Sequence, residues 1–177
     1  LEVDIMLEQL KNRRSIRRYR DQRVDKDKVD TILKAGLLAP SSRGRRPWEF
    51  VLVDDKKTLQ TLSEARAHGS KFLAQAPLAI VVAADPEKCD VWIEDASIAA
   101  IIMQLAAHSL GLGSCWIQIR EREAAGGVRA EDFVKQTLSI PDKYKLLCIL
   151  AIGYPDEVKE PYREEDLAYD KIHSRSF

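Results

Sequence analysis

The sequence holds neither G-x-G-x-x-G nor G-x-x-x-x-G-K-[ST], so it offers neither the dinucleotide fingerprint nor a P-loop to cradle phosphate. Its three cysteines, Cys89, Cys115 and Cys148, stand far apart with no C-x-x-C, and His68, His108 and His173 are as scattered. That spacing suggests reduced, buried thiols and gives no support to a disulfide framework or a structural zinc site. No apolar run is long enough to span a bilayer, and acids interrupt the opening LEVDIMLEQL, which does not read as a signal peptide. Net charge is also missing. Lys plus Arg number 28 and Asp plus Glu 28, so no overall field draws the protein to nucleic acid or an acidic membrane. The expectation is a cytoplasmic protein with neither partner. Side-chain catalysis is equally thin. Ser41 and Ser42 lack a G-x-S-x-G setting, and the adjacent pairs Glu94-Asp95 and Glu164-Glu165 would point to different helix faces, as solvated charge does.

Against that neutral background, NRRSIRRYR at 12–20 puts five arginines in nine residues. Guanidinium keeps its charge at any relevant pH and grips phosphate oxygens with two parallel donors. The cluster therefore suits a phosphate-bearing ligand, and a solvated basic loop or ion pairs with acids downstream would give the same composition.

The 177 residues suit one domain, and no repeat or linker divides them. Val3, Met6, Leu7 and Leu10 recur at helical spacing, and the arginines begin where that helix ends. A second helix starts near Asp25, an N-cap residue, with Val29, Ile32, Leu33, Gly36 and Leu37 on one face and Pro40 beyond its end. WEFVLVD at 48–54, LAIVVAAD at 78–85 and YKLLCILAIGYP at 144–155 read as strands, the last two apolar enough to be covered on both faces. Helices are expected over 56–67, 90–110 and 130–139. GLGSCWIQI closes the long helix with a glycine and runs straight into another strand. Trp48 and Trp116 read as core, and Trp92 as a residue of a pocket rim. Order alone would suggest a parallel, doubly wound sheet, although the two leading helices and the missing glycine fingerprint argue against it.

RRSIRRYR, APSSRGRRPWEFVLV, APLAIVVAAD, DASIAAIIMQLAAHSLGLGSCWI and LAIGYP, in that order and at these intervals, resemble the nitroreductase family of FMN-dependent oxidoreductases over nearly the whole chain. The resemblance implies an α+β fold with a central mixed sheet flanked by helices, as one domain over 1–177 whose tail, 156–177, packs on a partner. It implies a homodimer with FMN in interfacial pockets. Arg13 would hold the FMN phosphate, Arg14 and Ser15 would follow the ribityl chain and pyrimidine edge, and Arg17 would lie near flavin N1 and O2. Pro40, Ser41 and Ser42 would reach the flavin from the other subunit. Backbone N–H groups at Gln118 and Ile119 would face N5 and O4, and Lys71 and Arg163 would add contacts.

The activity so implied is hydride transfer from NADH or NADPH through flavin N5 to a small acceptor such as a nitroaromatic or quinone, by alternating occupancy of one site. No catalytic side chain is then required, because the cofactor carries the hydride and Arg17 adjusts its electronics. A flavin-binding module without enzymatic activity, or a related chemistry such as reductive dehalogenation, is the alternative. Where many relatives have an asparagine after the serine pair and a glutamine before the proline, this sequence has Gly44 and Arg46. Arg43, Arg45 and Arg46 thus crowd a loop that is more nearly neutral in the family. They leave the substrate open, as anion ligands or as a solvated or ion-paired loop.

Overall fold

A computed structural model describes residues 4–176. Asp4 caps the first helix, α1 (Ile5–Asn12), its carboxylate accepting from the amides of Met6 and Leu7 at 3.1 and 3.2 Å. Of the expected apolar stripe, Val3 lies outside the described residues, and the rest is not buried. Ile5, Met6, Leu7 and Leu10 expose 73%, 56%, 52% and 44% of their surface, so α1 forms with no core of its own to cover it.

The second helix, α2 (Lys26–Leu37), follows Asp25 and buries Val29, Ile32 and Gly36. Gly36 lies against the long α4 (Trp92–Ser109), where a Cβ would stand 2.8 Å from the Met103 sulfur. Four strands, β1 (Trp48–Val53), β2 (Leu78–Ala84), β3 (Gly113–Gln118) and β4 (Lys145–Gly153), form a sheet in the order β1-β2-β4-β3. Alternation along the strands divides the core in two. Ile80, Val82, Leu150 and Ile152 pack under α2 and α4. Val81, Ala83, Ile149 and Ala151 pack under α3 (Lys56–Leu62) and α5 (Ala130–Leu138). All seven residues of β2 are buried, as its unbroken apolar run requires.

The α+β class is as expected, but the strands pair differently from the order-based reading. Every neighbouring pair is antiparallel, and the parallel pairing among the described residues is the single bridge Ser15–Ser114. The sheet is mixed only through that bridge. The helix α4 does carry the chain from β2 to a strand of the same direction, β3. However, β4 inserts between them antiparallel to both, a long-range event with no trace in local periodicity. Opposite Val82 and Ala83 the ladder skips Leu147, so Leu147 and Cys148 both turn toward the α2–α4 layer.

Candidate active site

After α1, the chain from Arg13 to Arg20 runs extended between the start of β3 and the segment that leaves β4. Two apolar side chains anchor it, Ile16 and Tyr19, both buried. Backbone bonds fix its register: Ile16 N–H donates to Ser114 O at 3.0 Å, Arg20 N–H to Tyr154 O at 2.9 Å, and Asp156 N–H returns to Arg18 O at 2.9 Å. Glu157 adds a clamp, one carboxylate oxygen accepting from the amides of Arg17 and Arg18 at 2.5 and 3.1 Å. The Arg17 amide bond is the main reason that this carboxyl sits below the usual range. With Ile16 and Tyr19 turned inward, Arg17, Arg18 and Arg20 are exposed, and Arg13, Arg14 and Ser15 are half-buried.

Arg13 and Arg14 wall a cleft of about 250 Å³ whose floor is Gly111–Ser114 and whose far side is Pro155–Lys159. His108, in the last turn of α4, faces the same cleft. Burial, and then the charge of Arg13, pull its pKa below 6.5, so its ring is neutral near pH 7. Behind the arginine segment the Cys115 thiol is pushed up by burial, with Arg17, Ser15 and Arg13 acting in the opposite direction. All three cysteines are free and buried. Arg14 is further held by the tail, donating to the Glu160 carbonyl and stacking 4.4 Å from the Tyr162 ring centroid.

The remaining expected residues fall elsewhere. Gln118 ends β3 at the open edge of the sheet, and Ile119 follows it. Ile119 N–H donates to Leu147 O at 3.1 Å, and Arg120 N–H to the same oxygen at 3.0 Å. Alternation then turns the Gln118 N–H outward, leaving Gln118 as the donor on that edge. Its side chain is engaged, accepting from the Trp116 indole at 2.8 Å and donating to Arg120 O at 3.1 Å. Lys71 is exposed and paired with Glu64, beside Phe72, whose ring centroid lies 5.9 Å from Arg17. Arg163 is exposed and pairs with Glu165 at 2.8 Å. Trp48 is buried, and Trp116 and Trp92 pack partly buried against the α2–α4 core.

Pro40, Ser41 and Ser42 lie at the other end of α4. The Ser42 amide donates to Asp95 Oδ1 at 2.9 Å, while Cys89 Sγ donates to Asp95 Oδ2 at 3.2 Å. Asp95 is only 3% exposed, so the expectation of solvated charge fails at this residue. A hidden carboxylate is costly unless its oxygens are satisfied, and here a loop amide and a thiol satisfy them. Asp95 and His108 are separated by most of α4, roughly 20 Å along its axis at 1.5 Å per residue. The serine loop and the arginine cleft therefore do not meet within one chain.

Sequence reading passed over His108, Glu157, Lys159 and Asp95. For Lys159 there was no local signal, since the tail meets the arginines only once the chain is folded. For Asp95 there was none, since burial at a helix start depends on the loop folded over it.

The cleft suits the phosphate end of a flavin mononucleotide. Two guanidiniums and the Lys159 ammonium, the latter paired with Glu157 at 3.0 Å, supply the charge, and glycine-rich backbone forms the floor. Its volume falls below the roughly 300–1,000 Å³ of small-molecule sites, so the ring system needs walls from outside it. Fold and site together define an α+β domain with an arginine-lined cleft at one end of its central helix and the serine loop at the other. Residues 10–69 and 59–154 match the Nitroreductase family, and the chain belongs to it. A protein of Archaeoglobus fulgidus named for NADH dehydrogenase and NAD(P)H nitroreductase activity is 37% identical over 172 residues, 94% of this chain and 95% of its own. The solved structure of an FMN-dependent nitroreductase from Clostridium difficile R20291 has a TM-score of 0.95 and 55% identity, covering 97% of this chain and 100% of that one. A Bacillus subtilis protein named FMN reductase (NADPH) is 29% identical over 186 residues, 92% of this chain and 72% of its own.

Proposed function

We propose that the chain is an FMN-dependent oxidoreductase taking hydride from NADH or NADPH and giving it to a small acceptor such as a nitroaromatic or quinone, donor and acceptor alternating in one site. Bound FMN supplies the hydride-accepting position, so no side chain has to act as nucleophile or base. Arg13, with Arg14 and Lys159, would take the phosphate. The Gln118 amide would donate to the ring at the open edge of β3, and Arg17 would place a fixed charge beside it. The observation that carries this reading is the arginine cleft on β3 and the β4 exit, in a chain of this family.

The working unit is a homodimer. Its support is the separation of the two half-sites along α4, together with the uncovered apolar side chains of α1 and of the tail, where Val158 and Ile172 are 92% and 73% exposed. The tail would pack on the partner beyond Glu164, where its contacts with Lys11 end. No described helix is long and apolar enough to cross a membrane.

The test is a visible spectrum of protein loaded with FMN and desalted, then treated anaerobically with NADH and with NADPH. Retained colour that bleaches is expected with at least one donor. Colour that persists with both would replace the enzyme by a flavin-binding module.

A further inference from the structure

The loop after Ser42 holds four cationic or flexible residues, Arg43, Gly44, Arg45 and Arg46, and the chain takes an unusual path through it. Arg43 has φ 52° and Arg46 φ 48°, both in the left-handed region that favours glycine, with Gly44 between them at φ 66°. Neither residue is a glycine, so each long side chain is held where its Cβ is sterically disfavoured. Arg46 carries a second constraint, since the residue before a proline is disfavoured in helical regions, and Pro47 follows it.

The path is fixed from beneath. Ser42 N–H is tied to buried Asp95, Gly44 N–H donates to Ser41 O at 3.0 Å, and Arg46 N–H donates to Ser41 Oγ at 3.0 Å. The three guanidiniums are then treated differently. Arg45 has ordinary helical geometry and reaches Asp90 at 3.7 Å. Arg43 and Arg46 are exposed and have no carboxylate within salt-bridge distance among the described residues. Within this loop the two arginines in unfavourable backbone geometry are thus the two whose guanidiniums have no carboxylate partner among the described residues, and the hydrogen-bonded turn sets them beside Ser41.

Resting on the flavin reading above, we propose that Arg43 and Arg46 form an anion-selecting rim on the substrate side of the site. They would take an oxyanion carried by a substrate. Guanidinium suits this role because it grips phosphate or carboxylate through paired donors, and a pinned loop limits the entropy lost on binding. That oxyanion has two sources, the 2′-phosphate of NADPH or an acidic group on the acceptor.

The test uses the FMN-loaded enzyme and two matched pairs: NADPH with NADH as donors, and 4-nitrobenzoate with nitrobenzene as acceptors. Calorimetric binding of adenosine 2′,5′-bisphosphate and of 5′-AMP is measured alongside. In Arg43→Ala/Arg46→Ala, kcat/KM for one charged member should fall about tenfold relative to its uncharged counterpart, with FMN content unchanged. Arg45→Ala should move neither ratio by more than about twofold. A fall in the NADPH ratio, with weakened bisphosphate binding, assigns the rim to the donor; a fall in the nitrobenzoate ratio assigns it to the acceptor. If neither ratio nor the calorimetric preference moves, the rim does not exist, whether the variant is active or merely less dimeric. Failure of the flavin reading would show separately, as wild-type protein that retains no FMN or is reduced by neither donor, and the calorimetric pair would still decide the arginines.

Discussion

Gly113 and Gly153 stand opposite each other in the β3–β4 ladder, and the arginine-bearing segment lies against both. A Cβ on Gly113 would fall 2.7 Å from the Ile16 side chain, and one on Gly153 would fall 2.6 Å from the Pro77 ring and 2.9 Å from the Tyr19 ring. The two buried anchors of the segment thus seat where the ladder has no side chains.

Gly113→Ala is expected to displace Ile16 and with it Arg13 and Arg14. The cost should be about 1–3 kcal/mol of stability, the usual range for overpacking a filled interior. Denaturant unfolding checks the stability, and FMN titration checks the displacement. Equal FMN affinity at lowered stability would show that the arginines do not depend on Ile16 for their position.

Arg13→Ala and Arg17→Ala should separate binding from tuning. Loss of the Arg13 guanidinium from the cleft is expected to weaken FMN by about 10- to 100-fold and to leave riboflavin, which has no phosphate, nearly unchanged. Arg17→Ala should keep FMN and lower its reduction potential. Fluorescence titration with the two flavins, and anaerobic potentiometry, read these outcomes.

Asp95→Ala should free the Ser42 amide and the Cys89 thiol together. Leaving the half-buried amide without an acceptor costs up to about 1 kcal/mol, and amide exchange should quicken across 42–46. Asp95→Asn retains a carbonyl oxygen for Ser42 and should lie between wild type and alanine.

His108 gives a pH dependence with a defined sign. Its folded pKa is below the ordinary 6.5, so the unfolded chain binds the proton more readily. The stability tied to the neutral ring is complete above about pH 6.5 and declines as pH falls from there toward the folded value. Glu157, with its carboxyl held below 4.5, adds a separate loss at lower pH. His108→Gln should remove the first slope in cofactor-free protein and leave the second. An unchanged slope near pH 6 would assign it to another group.

The elements were legible where periodicity is strong. The strand expected at 78–85 is β2 at Leu78–Ala84, and the expected turn glycine after the long helix is Gly111 at φ 77°. Pairing was not legible, because insertion of β4 between β2 and β3 depends on contacts far apart in sequence. The arginines announced an anion site through composition, whereas the clamp that orders them, Glu157, looked like any acid of a polar tail. Asp95 is the clearest loss: identical in sequence to a solvated first-turn acid, it differs only in the loop that covers it.

The length of α4 also governs how defects in this protein combine. A chain without the Arg13 guanidinium still carries a sound serine loop, and a chain with a damaged loop still carries a sound arginine cleft. On the homodimer proposed above, with the cleft of one protomer against the loop of the other, two variants each defective in a different half would rebuild one intact site when refolded together, a complementation set by the span of a single helix.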